Sequence, residues 1–536
     1  MKVLKFGGTS VGSVESLLNV KRIVEEIQDS AIIVVSALGG ITDRLIATAE
    51  AASRGDNTWE ISMKEITERH FKIINEVIDI DKQREVKDKV TSQLNGLIKT
   101  YEGVYLLRSL PANVLDIIVS FGERMSSVIV SALIKNGKRY YSPDFIKTEK
   151  RYGKDTVDVT ATDKLVKETF SQLEDKEKAI VPGFISSDKM SGEITNLGRG
   201  GSDYTGALIA AALGAEVLEI WTDVDGFLSA DPRVVDNPLL IPCLSFSESM
   251  ELCTFGAKVI YPPTIFPVYH KNIPIKILNT FNPEASGSLI SDFTAESGLP
   301  IKGVSSLKGV SILTLIMNKV SDIDIPKRAF NNLSKNGVRI IPIANPEPSV
   351  ELNFAVLTSD VRNSLLRLNE EFAPEISSGL IKNIEIRDNL CAVAIVGNNM
   401  RQQSRLIARI GHTLRRNGIN VEVYSPLNSE TTFVFIINQE KSSEALPLIH
   451  SMIFRDLFFL FFQNTVSFKQ RIYRGILTPE FTREPGRIYG ASALQHFLKS
   501  FSRCRVKHAL FLKSGESIGV QDFSPFITVV TGRVPS

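Results

Sequence analysis

The sequence predicts a large α/β domain with a mainly parallel sheet, followed by two smaller α+β units. Three observations predict it. Residues 1 to about 295 alternate short apolar strands with amphipathic helical stretches, the pattern of strands covered on both faces by helices. Glycine-rich turns recur near strand and helix ends, at Gly7-Gly8-Thr9-Ser10, Gly39-Gly40-Ile41-Thr42 and Gly198-Arg199-Gly200-Gly201. From about residue 300 a different pattern, βαββαβ, occurs twice at a spacing of about 80 residues.

Met1 to Phe6 reads as a strand that breaks into Gly7-Gly8-Thr9-Ser10 and enters a helix from about Ser13. Val14, Leu17, Leu18, Val20, Ile23, Val24 and Ile27 mark its apolar stripe, with Ser13 as expected N-cap and Glu15 in the first turn. Such a turn is a phosphate cradle in the broad sense, because backbone N–H groups and the helix dipole both favour an anion. It is not a P-loop, since no G-x-x-x-x-G-K followed by Ser or Thr occurs, and the H-R-D and D-F-G signatures of protein kinases are absent. Lys5 stands just before the turn, where an ammonium can meet a transferring phosphoryl group.

The next strand, Ala31 to Val35, ends at Ser36, ahead of Gly39-Gly40-Ile41-Thr42. The charged stretch from about Trp59 to Tyr101 reads as an inserted helical pair covering one edge, and Phe121-Gly122-Glu123-Arg124 lies in a further helical run. Gly192 to Tyr204 is the densest segment. Its glycines let a backbone approach a ligand, Arg199 offers a fork that matches carboxylate or phosphate, and Ser202 and Asp203 precede the small-residue helix Ala207 to Leu213. Alone it reads as an anion site or as a glycine-rich turn with a structural ion pair. After the strand Val217 to Trp221 come Thr222-Asp223-Val224-Asp225-Gly226-Phe227, Asp231-Pro232-Arg233 and Phe255-Gly256-Ala257-Lys258.

In the repeats, the strand Ser311 to Ile316, a helix near Pro326 to Lys335, Asn336-Gly337 and the strand Leu352 to Leu357 form the first copy. Cys391 to Val396, a helix from about Gln402 to Arg416, Asn417-Gly418 and Thr432 to Ile437 form the second. At 536 residues the chain has room for three or four domains. A net charge of +2 gives no reason to expect nucleic acid or a membrane as partner. The four cysteines and six histidines are scattered without metal-ligand spacing, so no metal site is expected and a reducing compartment is. With no signal-like or spanning apolar run, the expectation is a cytoplasmic protein.

In this order the motifs resemble the amino-acid kinase superfamily and, within it, the aspartate kinases, from residue 1 to about 453. Lys5-Phe6-Gly7-Gly8-Thr9-Ser10 is the most specific part, and the repeats resemble paired ACT domains, which sense small molecules. The resemblance implies a three-layer α/β/α amino-acid kinase fold over 1–295 and ACT-like units over 300–380 and 385–453. It implies phosphoryl transfer from ATP, with Mg²⁺, to the side-chain carboxylate of L-aspartate, the first step toward lysine, threonine and methionine. That carboxylate is already ionised at neutral pH, so the obstacle is repulsion between two anions and the remedy is positioned cations.

By the same resemblance, Lys5 and Lys258 stabilise the transferring group and Asp203 organises the lysine or the reacting group. Arg199 pairs with the α-carboxylate, Glu123 accepts the α-ammonium, and Ser36, Thr42 and Ser202 donate hydrogen bonds. Gly7, Gly8, Thr9 and Ser10 line the phosphates, and Thr222, Asp223, Phe227 and Arg233 hold the nucleotide. Two departures are visible: Phe227 stands where the family often has tyrosine, and Tyr261-Pro262 where His-Pro is commoner. Asn398 and Ser429 mark the implied site for an amino-acid effector, although Ser425-Pro426-Leu427-Asn428-Ser429-Glu430 departs from the family's Gln-Gly-Ser-Ser-Glu. A homodimer through the ACT-like units is implied as well. Two other readings stay open: an amino-acid sensor without catalysis, against which Lys5, Arg199, Asp203 and Lys258 together argue, and a kinase for another amino acid.

After about residue 453 the composition changes. The last 83 residues hold 12 of the 29 phenylalanines and carry a net charge of +7, against −5 for the preceding 453. The part before them resembles the two-function chains in which aspartate kinase is fused to homoserine dehydrogenase, yet no strand with a G-x-G-x-x-G fingerprint follows. Leu460-Phe461-Phe462-Gln463-Asn464-Thr465 can be encoded so that a shifted frame reads Phe-Leu-Ser-Glu-Tyr, which is similar to the family's linker. The expectation is a frameshifted tail over 454–536, disordered or poorly packed, and no oxidation of homoserine; the rival reading is a genuine extension that packs on the ACT-like pair.

Overall fold

The computed structural model describes residues 1–151, 154–292, 300–318, 324–341, 343, 350–426 and 430–454, and the backbone of 517–523 and 526–532. The chain forms two units, 1–461 and 462–536.

The first unit opens with β1 (Lys2–Phe6), α1 (Val14–Glu25), β2 (Ala31–Val35) and α2 (Ile41–Arg54). α3 (Thr58–Val77) and α4 (Ile80–Leu107) are the helical pair read from the charged stretch, and α5 (Ala112–Leu133) carries Glu123. Then come β3 (Gly137–Arg139), β4 (Lys147–Arg151), β5 (Lys154–Val157), α6 (Val159–Phe170), β6 (Lys178–Pro182), β7 (Ile185–Asp188) and β8 (Ile194–Asn196). α7 (Gly201–Leu213), β9 (Val217–Thr222), β10 (Cys243–Leu244), α8 (Phe246–Thr254), α9 (Phe266–Tyr269), β11 (Ile275–Asn279) and β12 (Ser288–Ile290) complete this part. The expected N-cap of α1 is present: the Ser13 hydroxyl accepts the Ser16 N–H, and the Ser16 side chain returns a bond to the Ser13 backbone.

Eight strands form one sheet in the order β10-β12-β11-β9-β1-β2-β6-β3, parallel except where β11 meets β12. Alternate residues of its central strands enter two different cores. Val3, Ile32, Val34 and Val181 join α6 to α9 in one, while Leu4, Phe6, Ile33 and Val35 join α1 to α5 in the other. Burial on both faces is why these strands are wholly apolar rather than alternating. A small sheet, β5-β4-β7-β8, stands beside them.

The second part comprises β13 (Ile301–Met317), α10 (Asp324–Lys335), β14 (Ile340–Ile341), β15 (Glu351–Leu357), α11 (Val361–Glu371), α12 (Ala373–Ser377) and β16 (Ile381–Gly397). α13 (Ser404–Arg416), β17 (Val421–Pro426), β18 (Thr432–Asn438) and a final helix over 442–454 follow. Its strands make a single antiparallel sheet, β14-β15-β13-β16-β18-β17. The two repeats are not laid end to end. Residues 310–316 pair with β15 and with the start of β16, whereas Gly303 to Lys308 pair with Cys391 to Val396, in the second repeat. One face of this sheet carries α10 and α13, and from the other Ile312, Ala392, Ala394 and Val434 share a core with Phe246, Leu252 and Phe255 of the first part.

In the second unit, β19 (Ser517–Phe523) and β20 (Phe526–Gly532) form an antiparallel pair. The rest of the tail, on which the expectation of disorder mainly falls, lies outside the described residues.

Candidate active site

The floor of the site is set by where β1 and β2 stop. Gly7 donates its N–H to the Trp221 carbonyl at the end of β9 (3.1 Å), and the Ser10 hydroxyl donates to the same oxygen (3.2 Å). Among the described residues the N–H groups of Gly8, Thr9 and Ser10 have no acceptor, so the turn offers three consecutive donors. The expectation for Gly7 is therefore corrected: its N–H is already used to anchor the turn. The Ser10 side chain, which also accepts from Thr280 (2.7 Å), is fully buried and serves the same anchoring.

A cleft of about 360 Å³ lies over this floor. It brings together Lys5, Gly8, Ser36, Thr42, Glu123, Arg199, Ser202 and Asp203, which come from β1, α2, α5, α7 and the turns after β1, β2 and β8. Two helices start on it. α2 is preceded by Gly40 and α7 by Gly200, both in the left-handed region (φ 77° and 70°), and neither helix has a side-chain cap. Uncapped N-termini leave their N–H groups and positive dipole ends for an anion. Gly200 has a second constraint: a Cβ there would lie 2.5 Å from that of Tyr261.

Lys5 Nζ sits 2.6 Å from Asp203 Oδ1, an ion pair off the line of a good hydrogen bond, with both residues about nine-tenths buried. A buried ion pair contributes little net stability because both charges are desolvated. Glu123 is also buried, and its Oε1 accepts the Ala37 N–H at 3.1 Å while Oε2 has no partner. Burial pushes its carboxyl up to about 8, the Ala37 hydrogen bond offsetting part of the effect. Arg199 is exposed and, among the described residues, makes no ion pair. The cleft thus presents an orphan carboxylate oxygen, an unpaired guanidinium and a lysine held by an aspartate.

The other expected residues are placed elsewhere. Phe227 is fully buried, its N–H donates to Ser288 Oγ (2.8 Å) and its carbonyl accepts from Ile241 (2.8 Å). The Phe227 expectation is corrected: its ring is buried and its backbone N–H and carbonyl are both engaged within the protein. Arg233 is folded onto Asp231, with Nη2 2.7 Å from Oδ2, and these bonds hold the Asp231 carboxyl below its ordinary range, Lys258 adding a smaller pull. Lys258 is exposed and outside the cleft. Its motif serves a junction, since Gly256 (φ 119°) lies where a Cβ would be 2.2 Å from the Ser306 carbonyl of β13. The Thr222 hydroxyl donates to Asp223 (3.1 Å), and Thr9 is exposed. Asn398 donates its N–H to the Pro300 carbonyl (2.7 Å), and Ser429 lies outside the described residues.

Phe184, which also lines the cleft, escaped sequence reasoning. It holds φ 68°, rare for an aromatic residue, with its N–H bound to Thr205 Oγ1 (3.0 Å) and its carbonyl to the Leu197 N–H (2.8 Å). The signal available was Pro182-Gly183 closing an apolar strand.

The parallel sheet between helix layers, with glycine turns around a cleft of mixed charge, falls within the part of the chain, residues 1–279, that the model of the amino acid kinase family matches. The chain belongs to that family. An ACT domain model matches residues 393–452. The chain is 31% identical over 468 residues to the bifunctional aspartokinase/homoserine dehydrogenase of Buchnera aphidicola, covering 85% of this chain and 56% of that protein. It is 28% identical to aspartokinase 2, chloroplastic, of Arabidopsis thaliana, covering 84% of each. Among solved structures, E. coli aspartokinase III in complex with aspartate and ADP (R-state) is similar over 85% of this chain and 100% of that one, with TM-score 0.73 and 25% identity. The chain spans just over half the length of the bifunctional relatives, 56% and 57% for two of them.

Proposed function

We propose that this chain is an aspartate kinase, transferring the γ-phosphoryl group of ATP to the side-chain carboxylate of L-aspartate. The observation that carries the reading is the complementary charge set of the cleft. Glu123 Oε2 accepts the substrate's ammonium, the Arg199 fork takes its α-carboxylate, and the side-chain carboxylate turns toward Lys5. Ser36, Thr42 and Ser202 supply hydrogen bonds around it. Asp203 holds Lys5 Nζ where negative charge gathers on the transferring group, which makes the lysine worth more in the transition state than in the ground state. Gly8, Thr9 and Ser10 offer N–H groups to the phosphates.

Thr222, Asp223, Arg233 and Lys258 belong to the nucleotide side of this reading, with Arg233 exchanging Asp231 for phosphate and Lys258 assisting. Mg²⁺ enters as part of the MgATP substrate. Among the described residues no three His, Cys, Asp or Glu side chains are grouped as a metal centre needs; Mg²⁺ of this kind is commonly held by one or two carboxylates together with substrate phosphates and water. Aspartate and ADP are the ligands named for one similar structure, and lysine and aspartate for another (E. coli aspartokinase III, T-state).

The same proposal takes 1–295 as the catalytic domain, 300–380 and 385–453 as ACT-like units, and an aspartate-family amino acid as an effector near Asn398 and Ser429. It includes a homodimer through those units and a cytoplasmic enzyme that does not oxidise homoserine with NAD(P). Among the described residues no helix is long and apolar enough to cross a membrane. ATP-dependent hydroxamate formation with aspartate, with glutamate and with no amino acid tests the reading. Signal with aspartate alone supports it; an equal signal with glutamate, or none with aspartate, goes against it.

A further inference from the structure

We infer that Arg69 is a positioning residue that staples the two glycine turns of the cleft floor into one surface, so that the phosphate end and the amino-acid end are organised together. The inference rests on the reading of the cleft given above.

The turns after β1 and β2 meet backbone to backbone. A Cβ on Gly12 would lie 2.9 Å from the Gly8 carbonyl oxygen, and one on Gly39 would lie 3.0 Å from the same oxygen. Glycine permits that approach but supplies no side chain to hold it. Arg69 does so from α3, an element belonging to neither turn. Its Nη2 donates to the Gly39 carbonyl at 2.6 Å and to the Gly12 carbonyl at 3.3 Å.

The consequence follows from peptide geometry. The Gly39 carbonyl and the Gly40 N–H share one trans peptide plane and point in opposite directions. Fixing the carbonyl on Arg69 therefore fixes the direction of the Gly40 N–H, at the residue that precedes α2 and lines the cleft. The other carbonyl is that of Gly12, whose own N–H closes on the Thr9 carbonyl (3.3 Å), next to the open N–H groups of Gly8, Thr9 and Ser10. One side chain thus ties both turns together and fixes the Gly40 N–H of one of them.

Arg69 has, moreover, no carboxylate within ion-pair distance among the described residues, whereas Arg44 on the neighbouring helix pairs with Glu65 at 2.7 Å. Behind a floor that receives phosphate and carboxylate, an uncompensated guanidinium adds favourable field from the protein side. The Lys5–Asp203 pair, by contrast, brings no net charge.

The test uses the full chain and three variants, Arg69→Gln, Arg69→Met and Arg69→Lys, each first compared with wild type in melting temperature. Two quantities are read: kcat with aspartate and ATP, and the factor by which saturating ADP changes aspartate affinity in calorimetry. The expected wild-type coupling is about fivefold or more. In Arg69→Gln and Arg69→Met it should fall below about twofold, with kcat down about tenfold, because the turns no longer move as one. Arg69→Lys, which keeps the charge and can reach one carbonyl, should recover part of both. If the neutral variants do not fold, the loss is read on Arg69→Lys alone. An active wild type with folded variants of unchanged kcat and coupling overturns the staple and leaves the cleft's reading intact. An active wild type without any ADP–aspartate coupling also overturns it. A wild type with no aspartate-dependent ATP turnover removes the reading of the cleft, and the staple falls with it.

Discussion

The proposed amino-acid end of the cleft and its proposed nucleotide side are built in different ways. At the first, Glu123, Arg199 and the Lys5–Asp203 pair face one cavity, and two uncapped helices begin on it. At the second, Arg233 is tied to Asp231, Phe227 lies in the core and Lys258 stands at the junction with the ACT-like sheet. The difference lies in which part of the molecule shapes each end. Every residue of the first belongs to elements before residue 214, and the contacts that hold them come from residues before 295, such as Ile220, Trp221 and Tyr261. The loop carrying Asp231 and Arg233 is instead packed into the second repeat: Ala230 and Val235 share a core with Ile395, Phe435 and Ile449. Ser229 Oγ lies 2.8 Å from His450 Nε2, and the Ser229 carbonyl accepts the Val304 N–H at 2.8 Å. One end is preformed by the catalytic domain, and the other is shared property.

Five variants would break or sharpen that contrast. The largest effect is expected at Lys5, where Lys5→Ala should lower kcat by about 10²–10³ with little change in KM for aspartate, the signature of a group acting on developing charge. A folded variant with normal kcat removes Lys5 from the chemistry. Next, Arg199→Lys keeps charge but loses the fork, so aspartate KM should rise by roughly 10–100-fold while ATP KM holds. A rise confined to ATP would move Arg199 to the other end of the cleft.

The third concerns Glu123 and has a definite sign. Its carboxyl is raised from 4.5 to about 8 by burial, so between those values the folded protein holds a proton that the unfolded chain has released. The Glu123 contribution to stability is then lost as pH climbs through that window, and Glu123→Gln should lack that loss. The melting-temperature gap between them should grow from pH 6 to pH 9 in favour of the variant. Aspartate binding at pH 7 should expel this proton, because an ammonium at Oε2 favours the ionised form. Calorimetry in two buffers of different ionisation enthalpy reads it directly, and an equal heat in both would contradict the assignment.

The smallest effects are expected on the nucleotide side. Arg233→Ala should raise ATP KM only a few-fold, since the free protein already satisfies that guanidinium with Asp231. Phe227→Tyr should not improve ATP binding at all. A hydroxyl buried there without a partner costs about 1–3 kcal/mol, so the visible result is a lower melting temperature. A gain in ATP affinity would show that the ring is not where the structure puts it.

Much of this was legible in the chain before any coordinates. Apolar strands without alternation required helices on both faces, Ser13 announced a helix start, and Asn336-Gly337 and Asn417-Gly418 marked helix ends, where Gly337 and Gly418 hold φ of 75° and 71°. Lys5, Gly8, Ser36, Thr42, Glu123, Arg199, Ser202 and Asp203 were all named from their motifs and all line one cleft. Local chemistry suffices there, because a glycine turn or a cap is decided by its own few residues. Tertiary structure alone decided the rest. Gly7 and Phe227 sit in apt motifs, but whether an N–H or a ring faces solvent depends on Trp221 and Ser288, brought in from distant strands. Arg69 reads as an ordinary helix charge until α3 is laid across both turns. The pairing of Gly303 to Lys308 with the second repeat was equally hidden, since strands of similar apolar pattern can pair in several orders. Only the competition between whole sheets for buried surface selects one of them.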